Sequence, residues 1–292
     1  MAANVATSTS PNVSTKTRVA KNRIGDAAVA ARISREIEGE VRFDAFSRGR
    51  YSTDASHYQI EPIGVVIPKT DADIARVIDI AADEGLPVLP RGAGTSQCGQ
   101  TVGEAIVVDV SRHLNQMVEF DPDSRRIVVQ PGMVLDHLNA FLAPHRLLFP
   151  VDVSTSSRAT IGGMTGNNSC GARSIHYGTM RDNVRAVDAI MADGTAFHFG
   201  ELPADLAGLN PAYQALAGQL LDIGARERAE IAASFPDLMR RVGGYNIDAL
   251  VAEGRNTPVN LAHLLVGSEG TLAFSTKIEL DLSPVPSHKV LG

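Results

Sequence analysis

Cysteine is scarce here: the 292 residues contain two, Cys98 and Cys170. That is too few for a disulfide framework or a cysteine-built zinc site. Both stand in glycine-rich loops, where they read as small, reduced loop residues. Long apolar runs are missing as well. None approaches the ~20 residues of a membrane-spanning helix, and the N-terminus has no apolar core of a secretory signal. Positive charge is not in excess. Twenty-seven Lys and Arg face 33 Asp and Glu, for a formal charge of −6 and a pI near 5.7. Nucleic acid is a poor fit as a partner, because affinity for phosphate backbones comes from clustered bases. A cytoplasmic protein is expected, with one large or two small domains.

What is present is glycine in a telling place. Leu86, Val88 and Leu89 read as a buried strand that breaks at Pro90 into Arg91-Gly92-Ala93-Gly94-Thr95-Ser96, with Gly99 close behind. Glycines so spaced admit positive φ and close approach of backbone to a ligand. Successive amides then form a nest for anions, phosphate above all, and Arg91, Thr95 and Ser96 would add donors. A dinucleotide fingerprint would run from strand directly into helix. Here the amphipathic helix (Asp71 to Glu84, with Ile74, Val77, Ile78 and Ala81 at helical spacing) comes before the loop, and a strand (Ala105 to Val110) follows it. A Walker A loop fails too, since no Gly-Lys-Ser/Thr follows. On its own the loop is either a phosphate nest or a glycine-rich surface connection.

Along the chain, residues 1–25 read as a disordered extension rich in Ser, Thr, Asn and Ala. Asp26 is expected to cap a helix over Ala27 to Ile37 that buries Val29, Ile33 and Ile37, and Phe43 to Tyr58 is expected to be irregular. Strands are expected at Gln116 to Phe120 and Arg125 to Gln130, then a helix from Val134 to Leu142. Pro150 to Asn183 is dominated by Gly, Ser, Thr and Asn and lacks apolar periodicity. An unstructured stretch of that length inside a compact chain points to ligand wrapping. Within it Asp152 and Arg158 read either as ligand contacts or as a solvated ion pair. Asp193-Gly194 marks a hairpin, residues 203–250 read as covering helices, and Gly267 to Thr271 forms a third glycine turn. There Glu269 is either a ligand contact or a solvated turn carboxylate.

Three stretches together, PRGAGTS (Pro90 to Ser96), PVDVSTSSRATIGGMTGNNSCGARSIHYG (Pro150 to Gly178) and VGSEGTL (Val266 to Leu272), resemble the FAD-binding module of the vanillyl-alcohol oxidase / p-cresol methylhydroxylase (PCMH-type) family. The chain looks most like its FAD-linked D-2-hydroxy acid dehydrogenases, of D-lactate, glycolate and D-2-hydroxyglutarate type. The resemblance implies an α+β fold of two subdomains, about 58–112 and 113–285, with FAD held between them. Ahead of it, residues 26–57 read as an N-terminal helix and an irregular segment. Pro90, Arg91, Gly92, Ala93, Gly94, Thr95, Ser96, Gly99 and Gln100 would wrap the pyrophosphate. Pro150, Asp152, Thr160, Ile161, Gly162, Gly163, Gly166, Asn167, Ser169, Gly171, Ser174, Tyr177 and Gly178 would line the flavin and ribityl side, with Glu269 and Gly270 nearby.

In some relatives a His just after the RxGG part of the first loop attaches the flavin covalently. Thr95 stands there in this chain, so FAD is expected to be non-covalent. Family members continue into a cap domain, with a start expected at 286–292, that brings substrate-binding basic residues and a metal-holding His-rich site. An iron–sulfur cluster is expected only if such a C-terminal domain exists. The resemblance therefore places the catalytic residues beyond Gly292 and makes the isolated chain catalytically incomplete. His57, His176 and His263 read as structural. The activity expected of the family is oxidation of a D-2-hydroxy acid by hydride transfer to flavin N5. The rival is a flavin-binding electron-transfer subunit or truncated product without turnover. No metal site is expected in this part.

Overall fold

Short polar caps start most of the helices, and apolar periodicity decides which faces are buried. The computed structural model describes residues 23–288 except 237, 239 and 254–256. Asp26 caps α1 (Ala27–Glu36), accepting from the Ala28 and Val29 amides, and Val29 and Ile33 are buried. β1 (Glu40–Arg42) and α2 (Ala45–Tyr51) follow, so the stretch expected to be irregular contains a helix capped by Asp44. β2 (Gly64–Ile67) leads into α3 (Asp71–Glu84), where Thr70 and Asp73 close a capping box and Gly85 ends the helix at φ 65°. Its buried face includes the expected Ile74, Val77, Ile78 and Ala81.

β3 (Val88–Arg91) and β4 (Ile106–Asp109) complete a four-stranded sheet in the order β1-β2-β4-β3. β2, β3 and β4 run parallel and β1 is antiparallel to β2. β2 and β4 are buried along their whole length, as parallel strands covered on both faces require. This unit begins well before Tyr58. β1 joins its sheet, and α1 packs Ile33 into a core with Ile63, Ile74 and Ile106. Residues 23–25, expected within the disordered extension, are tied in as well. The Gly25 amide donates to Ile63 O at 2.8 Å, and Arg23 pairs with Asp26 and Glu84. A chain end is ordered where its backbone and charges find such partners. The remainder of that extension, 1–22, lies outside the described residues.

The second unit opens with β5 (Met117–Asp121), β6 (Arg126–Val129) and α4 (Leu135–Leu142). β7 (Leu147–Leu148), α5 (Ile161–Asn167), α6 (Ser174–Tyr177) and α7 (Met180–Asn183) follow. Pro150 to Asn183 thus carries short helices where none was expected. Thr160 caps α5 and a Thr179–Asp182 capping box starts α7, so local hydrogen bonds rather than apolar spacing create them. β8 (Val184–Ile190) and β9 (Ala196–Phe199) form the expected hairpin, with Gly194 at φ 82°.

α8 (Pro211–Arg226), α9 (Arg228–Ser234) and α10 (Ala262–Leu265) precede β10 (Phe274–Asp281) and β11 (Ser283–Pro284). β10 inserts between β6 and β8 in a five-stranded antiparallel sheet ordered β5-β6-β10-β8-β9. Its core includes the fully buried Leu138, Leu142, Ile161 and Ile278, each such side chain worth roughly 1.5–3 kcal/mol. Ile190 and Phe274, paired at the ends of β8 and β10, pack instead into the core of the first unit. That shared wall fixes how the loops of the two units face each other. Among the described residues no helix is long and apolar enough to cross a membrane. The expected start of a further domain, 286–292, lies from 289 onward outside the described residues.

Candidate functional site

The loop after β3 and the segment around α5 form the two walls of a cleft of about 720 Å³. That volume falls within the ~300–1,000 Å³ typical of cofactor and ligand pockets. Of the residues expected at a site, Gly92 to Ser96 and Gln100 line the first wall. Asp152, Thr160, Gly163, Asn167, Ser169 and Gly171 line the second. A smaller cavity of about 80 Å³ lies alongside, between Pro90–Arg91, Gly162, Gly166 and Glu269–Gly270. Gly99, Pro150, Ile161, Ser174, Tyr177 and Gly178 line neither. Ile161 is wholly buried in the core, and Ser174 accepts the Gly171 amide at 3.0 Å. Their place is to hold the second segment in shape.

The first wall is a row of free donors. The N–H groups of Gly92, Ala93, Gly94, Thr95, Ser96 and Gln97 donate to no protein acceptor among the described residues. Gly94 sits at φ 66°, and its carbonyl accepts from the Ala55 amide at 3.1 Å. A run of amides open to a cleft is a nest for an anion. The cleft lining itself contains no Lys or Arg side chain, and Asp152 is its one carboxylate. An anionic guest there is met by backbone dipoles rather than by paired charges. Asp152 makes no ion pair with Arg158 among the described residues, and its Oδ1 accepts from the Arg173 amide at 3.0 Å.

Arg91 does not aim its guanidinium at this row. Nη1 donates to Tyr51 O at 3.2 Å and Thr101 O at 3.0 Å, and Nη2 donates to Thr53 O at 2.8 Å. The same group lies 5.2 Å from the centre of the Tyr51 ring. The expected extra donor is therefore a brace that ties the loop to the stretch after α2. Burial draws Arg91 below its ordinary value, opposed by the charge of Asp109. Beneath it, Tyr51 Oη donates to the buried Asp109 at 2.6 Å, and burial followed by the Asp109 charge pushes the phenol upward.

One polar chain joins all three glycine segments. The Cys98 amide donates to Gln100 Oε1 at 3.2 Å, and Gln100 Nε2 reaches Glu269 Oε1 at 3.5 Å. Asn167 Nδ2 donates to the same Glu269 oxygen at 3.0 Å, and Asn167 Oδ1 accepts from Ser169 Oγ at 3.1 Å. Glu269 is half-buried at φ 53°, and its amide donates to Gly166 O at 2.9 Å. Burial pushes its carboxyl above the ordinary range, against the hydrogen bonds from Asn167 and Gln100. Glu269 is thus a tie between segments, not a solvated turn residue.

Other contributors were not singled out in the sequence. Asn168, 1% exposed, ends α5 at φ 51°. It accepts from the Arg181 amide and donates to Arg241 O. An Asn just after a helix is a recognised left-handed cap, so a signal existed. Gln97, Thr155 and Val242 also line the cleft, and Val242 comes from a stretch with no local signal. His57, His176 and His263 line no part of it.

The residues present fit a dinucleotide flavin: a cleft with an amide row on one side, neutral Asn, Ser and Thr side chains on the other, and Asp152 as its one carboxylate. Comparison with known proteins agrees. Residues 62–200 match the family described as FAD binding domain. D-2-hydroxyglutarate dehydrogenase of Escherichia coli is 36% identical over 247 residues, covering 82% of this chain and 24% of that protein. Glycolate oxidase subunit GlcD of Bacillus subtilis is 36% identical over 179 residues, covering 59% of this chain and 38% of that protein. The chain therefore spans about a quarter of the length of the former (24%). A solved alkyldihydroxyacetonephosphate synthase superposes with a TM-score of 0.62 at 17% identity, over 90% of this chain and 42% of that one, a likeness of fold alone. Through residues 62–200 the chain belongs to the FAD-binding domain family, in its PCMH-type α+β form.

Proposed function

We propose that this chain is the flavin-holding part of an FAD-linked dehydrogenase that oxidises a D-2-hydroxy acid, with FAD bound non-covalently. The observation that carries the reading is the row of unpartnered amides from Gly92 to Gln97 facing the Asn167–Gly171 wall across one cleft. The relatives named for D-2-hydroxyglutarate and glycolate supply the substrate class. Bound FAD would supply the hydride acceptor.

The chain's own residues supply position. The amides meet the diphosphate charge, and Arg91 fixes the loop that presents them. Gln100, Glu269 and Asn167 hold the two walls in register, and the lining offers no Lys or Arg to compete with the amides for the diphosphate. Thr95, standing where some relatives carry the attaching His, leaves no imidazole there for a covalent link.

Titration of the purified chain with FAD tests the reading: quenching of flavin fluorescence is expected, and acid precipitation should leave yellow flavin in the supernatant. A folded chain that ignores FAD would overturn the assignment. Flavin that stays in the pellet would overturn the non-covalent part.

A further inference from the structure

Anion-binding groups stand on both sides of the cleft, and the flavin accounts for only one set. On the reading above, the amides of Gly92 to Gln97 would meet the cofactor diphosphate from the first wall. At the mouth of the second wall Arg240 reaches Gly171, and Arg173 stands two residues further along the chain. Arg240 Nη1 donates to Gly171 O at 3.3 Å and lies 4.0 Å from Cys170 Sγ. Arg173 follows Ala172, which lines the cleft, and is held at the lip by its amide on Asp152 Oδ1 at 3.0 Å.

Both side chains are exposed, and neither guanidinium makes an ion pair among the described residues. Their neighbours Arg181 and Arg241 are different, since Asp248 pairs with both, at 2.7 and 2.5 Å. Asp152 is the one carboxylate at this lip; in a chain of formal charge −6, two exposed cations against one carboxylate leave the mouth locally positive, a field that draws anions inward.

A 2-hydroxy acid always carries a carboxylate next to the carbon that reacts, and a guanidinium binds a carboxylate through paired, charge-assisted hydrogen bonds. We propose that Arg173 and Arg240 receive the carboxylate of the 2-hydroxy acid at the mouth of the flavin cleft, an inference that rests on the dehydrogenase reading above. Arg173 lies on the same segment as the cofactor wall, and Arg240 reaches that wall from a separate stretch.

The test uses the full chain loaded with FAD, with R173Q, R240Q, the double variant and R173K as controls. Two quantities are measured: the Kd for FAD by fluorescence, and the Kd for oxalate, a non-oxidisable carboxylate, by perturbation of the flavin spectrum. FAD affinity is expected to change less than about 2-fold, because the amides carry the diphosphate. Oxalate affinity is expected to fall by about 10-fold or more for each Arg→Gln change, the fold-change of a lost charge-assisted hydrogen bond. R173K should retain part of it, and added salt should weaken oxalate binding in the parent.

Oxalate that leaves the parent's flavin spectrum unmoved, or binds all variants alike, overturns the inference. A parallel loss of FAD affinity also overturns it, because the arginines would then serve the cofactor. Failure of the unaltered chain to bind FAD is a distinct outcome that removes the dehydrogenase reading and this inference with it.

Discussion

Gly92 and Thr160 meet where the two units touch: a Cβ built on Gly92 would stand 2.1 Å from Thr160 Oγ1. Gly92 opens the amide row, and Thr160 is the cap of α5, its hydroxyl accepting from the Gly163 amide at 3.3 Å. The cleft owes its width to the absence of one methyl group.

Gly92→Ala is accordingly expected to push the walls apart. Forcing a methyl into such a contact typically costs about 1–3 kcal/mol, and flavin affinity should fall with it. Urea unfolding and FAD titration check both, and an unchanged midpoint with unchanged Kd would show that the walls do not pack this way.

Gly94→Val should act on binding more than on stability. Gly94 lies at φ 66°, and a Cβ there would come 2.7 Å from Arg91 Nη2. A β-branched residue avoids that φ, so the amide row would be re-aimed. Each lost N–H contact to an anion is worth on the order of 1.5–3 kcal/mol, and several go together. FAD binding at parental affinity would mean that the loop is not the pyrophosphate cradle.

Arg91→Lys tests the brace. A lysine ammonium cannot reproduce the guanidinium fork that reaches the carbonyls of Tyr51, Thr53 and Thr101. A stability loss of roughly 1.5–3 kcal/mol is expected, with weaker FAD binding. Faster hydrogen exchange at Ala55, whose amide bonds Gly94 O, would localise the effect to this loop. A variant that loses flavin but exchanges normally would instead place Arg91 on the ligand.

Glu269 carries a pH signature. Burial raises its folded pKa above the ordinary glutamate value. Its contribution to stability is then complete below the unfolded pKa and is lost as pH rises through the folded one. Glu269→Gln keeps an acceptor for Asn167 and Gln100 without the charge. The variant should melt above the parent at about pH 8 and lose that advantage near pH 4, below the ordinary glutamate pKa of about 4.3. Parallel melting curves at both pH values would contradict the assignment.

Where side-chain spacing is a local property, the sequence alone determined the structure. The period of Ile74, Val77, Ile78 and Ala81 set α3, Asp193-Gly194 set the β8–β9 hairpin, and the first two glycine segments marked the walls of the cleft. α2 and α5 escaped notice because they are short and begin at Asp44 and Thr160 caps, with little apolar periodicity to announce them. Only the tertiary structure decided the rest. β1 pairs with β2 across an intervening helix, and β10 slots between β6 and β8. The Arg91 guanidinium turns to backbone carbonyls, and Arg240 arrives at Gly171 from a distant stretch. Each of these depends on which chain segments are brought within a few ångströms of one another. Burial of the shared core decides that, and spacing along the chain does not encode it.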